Sequence, residues 1–230
     1  RARRRQRHLE ALGVTDPLTG LPDRRGASDR LDALHADSPR AAVLLIDVDR
    51  FKAVNDRFGH DGGDRVLAQV ARCLREACDP GDLVARWGGE EFLVLREDTS
   101  QEAAFALAAH LRAQIESLKV ESAAGEPQQL SVSIGVVPLP LFPAGAGWQE
   151  AVRAADRALY AAKRSGRNAW VGLWGVAEGV DAGRALADMQ AALAEGWFEV
   201  GGNRPTDWSG AWVATADVEA EPAPSGAMLP

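Results

Sequence analysis

The sequence has few cysteines, no long apolar run and no excess of basic residues, and each of these shortages argues against a class of protein. Two cysteines, Cys73 and Cys78, among 230 residues are too few for a disulfide-rich scaffold and favour a reducing compartment. No apolar run approaches the roughly 20 residues that a membrane-spanning helix needs. The net charge of −7 argues against non-specific binding of nucleic acid, because proteins that do this are usually basic.

The length and the composition fit a globular protein with one good-sized domain and an appendage. The hydrophobic fraction of 46% is ordinary and allows a sizeable core. The first residue is Arg1 rather than Met, so we expect a fragment of a longer protein. Residues 1–14 are rich in arginine and predict either a solvated linker helix or the end of a signalling helix from an upstream sensor. We therefore expect a cytoplasmic domain, which in a membrane-anchored protein would be the cytoplasmic part.

The order of the predicted elements indicates an α+β domain. Strands are predicted over residues 41–46, 82–86, 92–95 and 130–136, and helices over residues 24–36, 50–58, 64–77, 101–118 and 148–163. The first strand is a continuous apolar run, which is typical of a strand buried on both faces. The second and third strands flank a diglycine turn and so predict a hairpin. These features favour a largely antiparallel central sheet flanked by helices.

The chain changes character near residue 170, where tryptophans crowd a short tail. They are Trp170, Trp174, Trp197, Trp208 and Trp212. Residues 181–195 have the pattern of one helix, and residues 219–230 have the composition of a disordered segment. The tail is therefore either a poorly ordered extension or a helix whose tryptophans pack on the domain or on a partner.

Two pairs of acidic residues are candidates for a metal site. Asp47 and Asp49 end the first apolar strand, and their side chains would leave it on the same side if the strand continued. Glu90 and Glu91 are adjacent in the glycine turn. Each pair alone also fits an ordinary solvated strand end or hairpin tip. Together they predict a shared site for two divalent cations, because Mg²⁺ prefers oxygen ligands and often binds carboxylates together with substrate phosphates.

Basic and amide side chains near these acids are candidates for binding a nucleotide. Lys52, Lys163 and Arg167 are natural counter-charges for a triphosphate, although each alone is more typical of a solvated surface. Asn55 and Asp64 can match the hydrogen-bonding edge of guanine, although a buried Asn in a helix more often makes an ordinary local hydrogen bond.

The segment Arg86–Phe92, with the sequence RWGGEEF, resembles the signature turn of GGDEF domains in its GGEEF form. Four further motifs of that family have similar segments here, in the family's order and spacing. They are DPLTGLPDRR at residues 16–25, DVDRFKAVND at 47–56 together with FGHDGGD at 58–64, SIGV at 133–136, and ADRALYAAK at 155–163 followed by GRN at 166–168. Asp23 stands where the family usually has Asn. The resemblance covers residues 15–171 and does not extend into the tail.

This resemblance implies a palm-like α+β fold, similar to class III nucleotide cyclases, for residues 15–171, with residues 172–230 as a tryptophan-rich extension. It implies a diguanylate cyclase, which condenses two GTP molecules into cyclic di-GMP and releases two pyrophosphates. It also implies two Mg²⁺ or Mn²⁺ ions per active site and a homodimer, because each subunit binds one GTP. The domain would be the output of an upstream sensor, and nucleic acid is not an expected partner.

The family's motif positions imply a role for each candidate residue. Asp47, the Val48 carbonyl, Glu90 and Glu91 would hold the metal ions, and Glu90 and Glu91 are the catalytic candidates. Asn55 and Asp64 would recognise guanine. The phosphates would be held by Lys52, Lys163, Arg167 and backbone N–H groups at Phe51, and Gly88 and Gly89 would let the substrate approach the turn.

The sequence departs from the family at one regulatory motif. Many GGDEF domains have an Arg-x-x-Asp inhibitory site before the signature turn, and the aligned stretch here runs from Asp79 to Asp82. An aspartate repels a dinucleotide anion, so we expect weak product inhibition unless Arg75, one helical turn earlier, substitutes for the missing arginine.

The main alternative to an enzyme is a catalytically inactive GGDEF module that binds GTP or cyclic di-GMP and acts through protein partners. The intact set of acidic and basic candidates favours the enzyme. A cyclase that makes a cyclic mononucleotide fits the motifs less well, because they are those of the dinucleotide enzymes.

Overall fold

The computed structural model describes residues 14–34, 40–121, 127–142 and 147–205. The helix predicted over residues 1–14 lies outside the described residues except for Val14. Trp208 and Trp212 also lie outside them, as does the predicted disordered segment at 219–230.

The described residues form six helices and eight strands. The helices are α1 (Arg24–Asp32), α2 (Phe51–Ala77), α3 (Gln101–Glu116), α4 (Trp148–Arg164), α5 (Ala182–Ala187) and α6 (Met189–Ala194). The strands are β1 (Ala41–Val48), β2 (Leu83–Arg86), β3 (Glu91–Arg96), β4 (Lys119–Glu121), β5 (Pro127–Gln129), β6 (Val132–Leu139), β7 (Trp170–Gly175) and β8 (Phe198–Gly202). No described helix is both long enough and apolar enough to cross a bilayer.

Six strands form one sheet in the order β2-β3-β1-β6-β7-β8, and β4 pairs with β5 in a separate two-stranded sheet. Within the large sheet, β6 and β7 are parallel and the other neighbours are antiparallel. The prediction of an α+β fold with a mostly antiparallel central sheet is therefore confirmed.

The interior strand β1 is buried at all eight of its positions. Its side chains alternate between the two faces of the sheet. Val43 and Leu45 pack in the layer that contains α1, α4, α5 and α6. Leu44 and Ile46 pack against α2 and α3 on the other face. Burial on both faces explains why this strand reads as a continuous apolar run rather than as an alternating one.

Helix α2 bends at one glycine and continues through two others. The sequence predicted one helix to Phe58 and a second from Asp64, but the structure has helix over Phe51–Ala77, with a non-helical backbone only at Gly59 (φ 70°, ψ 170°). Gly62 and Gly63 lie buried inside the second helical part. Residue 63 must be small, because a Cβ there would collide with the Asn55 amide oxygen.

The part of the predicted extension that the structure describes adds to the sheet. Strand β8 pairs antiparallel with β7, with Val171 opposite Gly202 and Gly175 opposite Phe198. The single helix expected over residues 181–195 is instead two short helices, because the Asp188 side chain caps a new helix by accepting from the Ala191 N–H. The predicted boundary at residues 171–172 falls inside β7, and the division into domains stays a prediction.

The Phe105 ring of α3 packs where β8 pairs with β7. Gly172 and Gly201 are directly opposite each other in the two strands, and the Phe105 ring occupies the space that their side chains would fill. The same ring contacts Trp170 and Trp174, with centroid separations of 5.2 and 6.1 Å. Two of the tryptophans that marked the start of the tail are therefore core residues of the sheet.

We predict that Gly201→Ala destabilises the protein, because the new Cβ would overlap the Phe105 ring. The expected loss in the free energy of unfolding is about 1–3 kcal/mol, the range for an overpacked core. Denaturant titration measures it. The matched control is Gly81→Ala, whose Cβ would meet no atom within 4 Å and should change stability by less than about 0.5 kcal/mol. Equal losses in the two variants would contradict the described packing of β8.

Candidate active site at the ends of β1 and the β2–β3 turn

The end of β1 and the glycine turn between β2 and β3 lie side by side. β1 and β3 are neighbouring strands, and their register places Asp47 opposite Glu91. The Val48 N–H donates to the Glu90 carbonyl oxygen at 3.2 Å. The structure thus brings together the two acidic segments that the sequence predicted to share a site.

Helix α4 adds a lysine to this pair of segments. Lys163 lies in the last turn of α4, and its Nζ is 2.8 Å from Asp47 Oδ2. The helix approaches the sheet closely because residue 135 of β6 is glycine; a Cβ there would collide with the Ala155 carbonyl oxygen. Lys163 is therefore held against Asp47, a residue that is only 7% exposed.

Asp47 and Glu91 both hold their protons more tightly than usual. Burial raises the pKa of Asp47, the charges of Glu90 and Asp49 raise it further, and the ion pair with Lys163 opposes the rise. Burial also raises the pKa of Glu91, with an added contribution from the charge of Asp47 and an opposing one from Lys163. Lys163 therefore does not offset burial and like-charge repulsion together.

A further acid, Asp156, belongs to the same cluster and was missed by sequence reasoning. Its charge contributes to the raised pKa of Glu91, and burial raises its own pKa against the charge of Lys163. Residues 156 and 163 are two helical turns apart, so they lie on one face of α4. That spacing was the signal available in the sequence. We call Asp47, Glu90, Glu91 and Asp156 the acidic cluster.

The chemistry of the acidic cluster suits a divalent cation that also binds phosphate. Carboxylate oxygens are hard ligands, and Mg²⁺ commonly uses one or two of them together with phosphate oxygens and water. Among the described residues, no group of three or more His, Cys, Asp and Glu side chains is placed to hold a metal ion. A cation bound here would therefore need oxygen ligands from a substrate. Its positive charge would offset the burial and the like-charge repulsion that raise the pKa of Asp47 and Glu91.

Asp49 lies close to Asp47 but serves as an anchor. Its carboxylate accepts hydrogen bonds from the Ser131 and Ser133 hydroxyls, both at 2.7 Å, and from the Asn168 N–H at 2.9 Å. These bonds tie the end of β1 to β6 and to the turn after α4. The sequence pattern alone could not separate the roles of the two aspartates, because the three donors come from residues at least 82 positions away.

The candidates for nucleotide binding on α2 lie in its first part and just after its kink. Phe51 and Lys52 begin the helix, and Arg50, in the left-handed region at φ 54°, provides no side-chain cap for its N-terminus. Lys52 is exposed. Asn55 lies against Gly63, immediately before the exposed Asp64, because the kink folds the two parts together. The structure thus places the two predicted guanine-binding residues near each other.

The remaining candidates lie in turns. Gly88 and Gly89 form the β2–β3 turn, where the Trp87 and Gly88 N–H groups donate to the Glu91 carbonyl oxygen at 2.8 and 3.2 Å. Arg167 is exposed, in the turn between α4 and β7.

Asp16 and Arg86 brace the glycine turn, a role that sequence reasoning missed. Arg86 donates through Nε and Nη2 to the Gly89 carbonyl oxygen and through Nη1 to Asp16 Oδ2 at 2.9 Å. Asp16 in turn accepts from the Thr19 N–H and hydroxyl. Burial opposes ionisation of Asp16, but the bonds from Thr19 and the charge of Arg86 outweigh it and lower the pKa. Both residues lie in segments that resemble motifs of the GGDEF family, and this was the signal available in the sequence.

Asp79 and Asp82, the altered inhibitory motif, are paired with an arginine of the same chain. Arg96 Nη2 lies 2.5 Å from Asp82 Oδ2 and 3.0 Å from Asp79 Oδ2. The two aspartates line a cavity of about 270 Å³ that Arg30 and Arg75 also line. Arg75 is therefore near the motif, as the sequence spacing suggested.

Comparisons with known proteins agree with this geometry. The model of the family described as "Diguanylate cyclase, GGDEF domain" matches residues 13–169. The chain is 40% identical over 168 residues to the diguanylate cyclase DgcP of Pseudomonas aeruginosa, covering 70% of this chain and 24% of that protein. It is 37% identical over 168 residues to the cyclic di-GMP phosphodiesterase PdeR of Escherichia coli, covering 72% of this chain and 25% of that protein.

The chain spans about a quarter to a third of the length of the curated relatives that it matches first. Among solved structures, the GGDEF domain of DgcB from Caulobacter crescentus, in complex with c-di-GMP, has a TM-score of 0.64 at 30% identity. That match covers 68% of this chain and 90% of the other. It confirms the palm-like α+β fold that the motifs predicted.

We predict that Glu91→Gln stabilises the protein at pH 7. The folded protein holds the pKa of Glu91 above its ordinary value of 4.5, so the wild type loses stability as the pH rises from about 4.5 through the folded pKa. Glutamine removes that loss. Because Glu91 is partly exposed, solvent screening limits the gain to about 0.5–1 kcal/mol.

Denaturant titration at pH 7 and at pH 4 measures the gain, which should vanish at pH 4. The matched control is Glu199→Gln, at an exposed position of β8, which should leave the free energy of unfolding at pH 7 within about 0.5 kcal/mol of the wild type. A Glu91→Gln variant less stable than the wild type at pH 7 would contradict the described charge excess.

Proposed function

The chain belongs to the GGDEF family of diguanylate cyclase domains, and from that membership we propose that it is an active diguanylate cyclase. In this proposal the protein condenses two GTP molecules into cyclic di-GMP and releases two pyrophosphates. The observation that supports the proposal most is the register that sets Asp47 beside Glu91, with Lys163 paired to Asp47. Such a site can hold cations and phosphates together.

The acidic cluster would hold two divalent cations, Mg²⁺ or Mn²⁺. Asp47, the Val48 carbonyl oxygen, Glu90 and Glu91 are the proposed ligands. When bound, the cations offset the charge of the triphosphate and stabilise the negative charge that develops on the reacting phosphate. The surplus of carboxylates over lysine in the described site supports this assignment.

The phosphates would be held from three directions. Lys163 stands at the acidic cluster already, and Arg167 follows it in the turn after α4. Lys52 lies in the first turn of α2, where the N–H groups of Phe51 and its neighbours add backbone donors. These groups would orient the triphosphate so that its α-phosphate faces the acidic cluster.

Guanine would be recognised at the kink of α2. The Asp64 carboxylate can accept from the guanine N1–H and N2–H₂ groups, and the Asn55 amide can bind a neighbouring edge. Gly88 and Gly89 leave room for the nucleotide at the turn. A specificity for guanine over adenine follows from these donors and acceptors.

The chemistry would be two transfers of the same kind. The 3′-oxygen of one GTP forms a bond to the α-phosphorus of the other, and the bond from that phosphorus to the pyrophosphate oxygen breaks. Glu90 is the proposed acceptor of the 3′-hydroxyl proton, with Glu91 assisting. A second, reciprocal transfer closes the ring and releases the second pyrophosphate.

Each subunit would bind one GTP, so a homodimer would be needed to bring the two together. The rate would then depend on how the two subunits meet, because alignment of two bound substrates gives them a very high effective concentration. We propose that the domain works in the cytoplasm as the output of a longer protein with an upstream sensor. The partial coverage of its curated relatives is consistent with such an arrangement.

A second candidate function is supported by the similarity to PdeR, which is named as a phosphodiesterase rather than as a cyclase. The chain could be an inactive module that binds GTP or cyclic di-GMP and signals through partners. The complete set of acids and bases at the described site favours the enzyme. The two candidates differ in whether pyrophosphate is released.

We also propose that inhibition by the product through the Asp79–Asp82 motif is weak. Asp79 stands where an arginine would bind the anion, and both aspartates are paired with Arg96. Cyclic di-GMP would have to break these pairs and approach two negative charges.

We predict that the protein releases pyrophosphate from GTP with Mg²⁺, at a rate per subunit that rises with protein concentration. Asp47→Asn should lower the rate by about 10²–10³, the typical loss when a group that stabilises transition-state charge is removed. Pyrophosphate detection and mass identification of the product measure it. The control Glu178→Gln, at an exposed residue outside the site, should keep the wild-type rate. Equal rates in Asp47→Asn and wild type would overturn the catalytic assignment.

We predict that saturating cyclic di-GMP lowers the wild-type rate by less than about twofold, because Asp79 and Asp82 repel the anion. Asp79→Arg should make the enzyme sensitive, with at least about tenfold inhibition from a restored bidentate contact. Initial rates with and without product measure both. Strong inhibition of the wild type would contradict the prediction, and Arg75, which lines the same cavity as the two aspartates, would then be the residue that replaces the missing arginine.

A further inference from the structure

The turn that follows α4 has an unusual backbone. Gly166, Arg167 and Asn168 all lie in the left-handed region, with φ values of 102°, 61° and 45°. Two of the three are not glycine, so this conformation costs energy and persists only where surrounding contacts impose it. Arg167 itself belongs to this turn, and Lys163 lies one helical turn before it.

Asn168 is held by groups from within the family domain. Its backbone N–H donates to Asp49 Oδ2 at 2.9 Å. Its side-chain oxygen accepts from Arg112 Nη1, and its side-chain nitrogen donates to Glu116 Oε1, both at 2.6 Å. Hydrogen bonds from Arg112 and Asn168 lower the pKa of Glu116, and the charge of Arg204 adds a smaller effect.

The extension holds the same turn from the other side. Asn203 follows β8 directly, and its Oδ1 accepts from the Trp170 N–H at 2.8 Å. Its Nδ2 is 3.5 Å from the Asn168 carbonyl oxygen, to which it donates. Arg204 lies against Gly166, where an added Cβ would be 3.2 Å from Nη1. These two residues lie beyond residue 169, where the match to the family ends.

Strand β8 presents these residues at a fixed position. Five residues of β8 pair in register with β7, and Phe105 fills the slot between Gly172 and Gly201. Asn203 is the next residue after the strand, so its side chain reaches the start of β7 without a flexible link. The paired strands therefore fix the position from which Asn203 contacts the 166–168 turn.

We propose that Asn203 and Arg204 are positioning residues that fix the 166–168 turn, and through it Arg167 and the end of α4, for binding the phosphates of GTP. The inference rests on the proposed function for the role of Arg167, but the positioning itself does not. The extension is then part of the nucleotide site rather than an independent appendage.

The test compares Asn203→Ala, Arg204→Ala and Asn203→Asp with the wild type. Asn203→Asp keeps the acceptor for the Trp170 N–H but replaces the donor to the Asn168 carbonyl oxygen with an oxygen that repels it. It should therefore loosen the 166–168 turn as Asn203→Ala does. The matched control is Glu199→Ala, an exposed residue of the same extension whose pairing partner is Trp174. Two readouts are needed: hydrogen exchange of the Asn168 amide by NMR, and equilibrium binding of 3′-deoxy-GTP, which cannot react.

Asn203→Ala and Arg204→Ala should each speed exchange of the Asn168 amide by about three- to tenfold and raise the dissociation constant of 3′-deoxy-GTP by a similar factor, as expected for the loss of one modest contact. At Asn203 that contact is a hydrogen bond, and at Arg204 it is the packing on Gly166 and the charge near Glu116. Glu199→Ala should change neither. For GTP turnover, KM should rise by the same factor with kcat within about twofold, because binding rather than chemistry is affected.

Unchanged exchange and unchanged nucleotide binding in both alanine variants would overturn the proposal, even if the wild type releases pyrophosphate. Conversely, a wild type that releases no pyrophosphate would overturn the proposed function. In that case a change in Asn168 exchange and in 3′-deoxy-GTP binding would still support the positioning role.

Discussion

The candidate site depends on a cluster of like charges that the fold gathers at the end of β1. Because β3 lies beside β1, the end of β1 faces the glycine turn, and α4, packed on Gly135 of the neighbouring β6, brings Lys163 to the same place. Asp47, Glu90, Glu91 and Asp156 are gathered around Lys163, and burial raises the pKa of Asp47 and Glu91. A negative charge excess of this kind disfavours the unliganded fold and favours binding of cations, which can in turn bind phosphates.

Contacts elsewhere in the molecule hold the acidic cluster in place. Arg86, which is paired with Asp16, braces the glycine turn by donating to the Gly89 carbonyl oxygen. Asp49 fastens the end of β1 to β6 and to the turn after α4. Close packing of α4 on Gly135 brings Lys163 to Asp47. Each device opposes the tendency of like charges to separate, so the site keeps its shape before any ligand binds.

Sequence reasoning reached the fold and the main acids because these signals are local. An unbroken apolar run marks a strand buried on both faces, and a diglycine turn between two short strands marks a hairpin. It failed where the outcome depends on distant contacts. Asp49 cannot be told from Asp47 without its serine partners, one just before β6 and one on it. Strand β8 lacks a clear alternation, since Glu199 and Val200 are both exposed, so pairing with β7 rather than pattern decides its structure.

The central claim is that the acidic cluster binds divalent cations jointly with the nucleotide, and Mn²⁺ binding tests it most directly. Paramagnetic resonance of free Mn²⁺, titrated with the protein in the presence of 3′-deoxy-GTP, reports the bound ion without any turnover. Our account predicts tight Mn²⁺ binding that depends on the nucleotide in the wild type and is lost in Asp47→Asn. Equal Mn²⁺ binding by the wild type and by Asp47→Asn would contradict it.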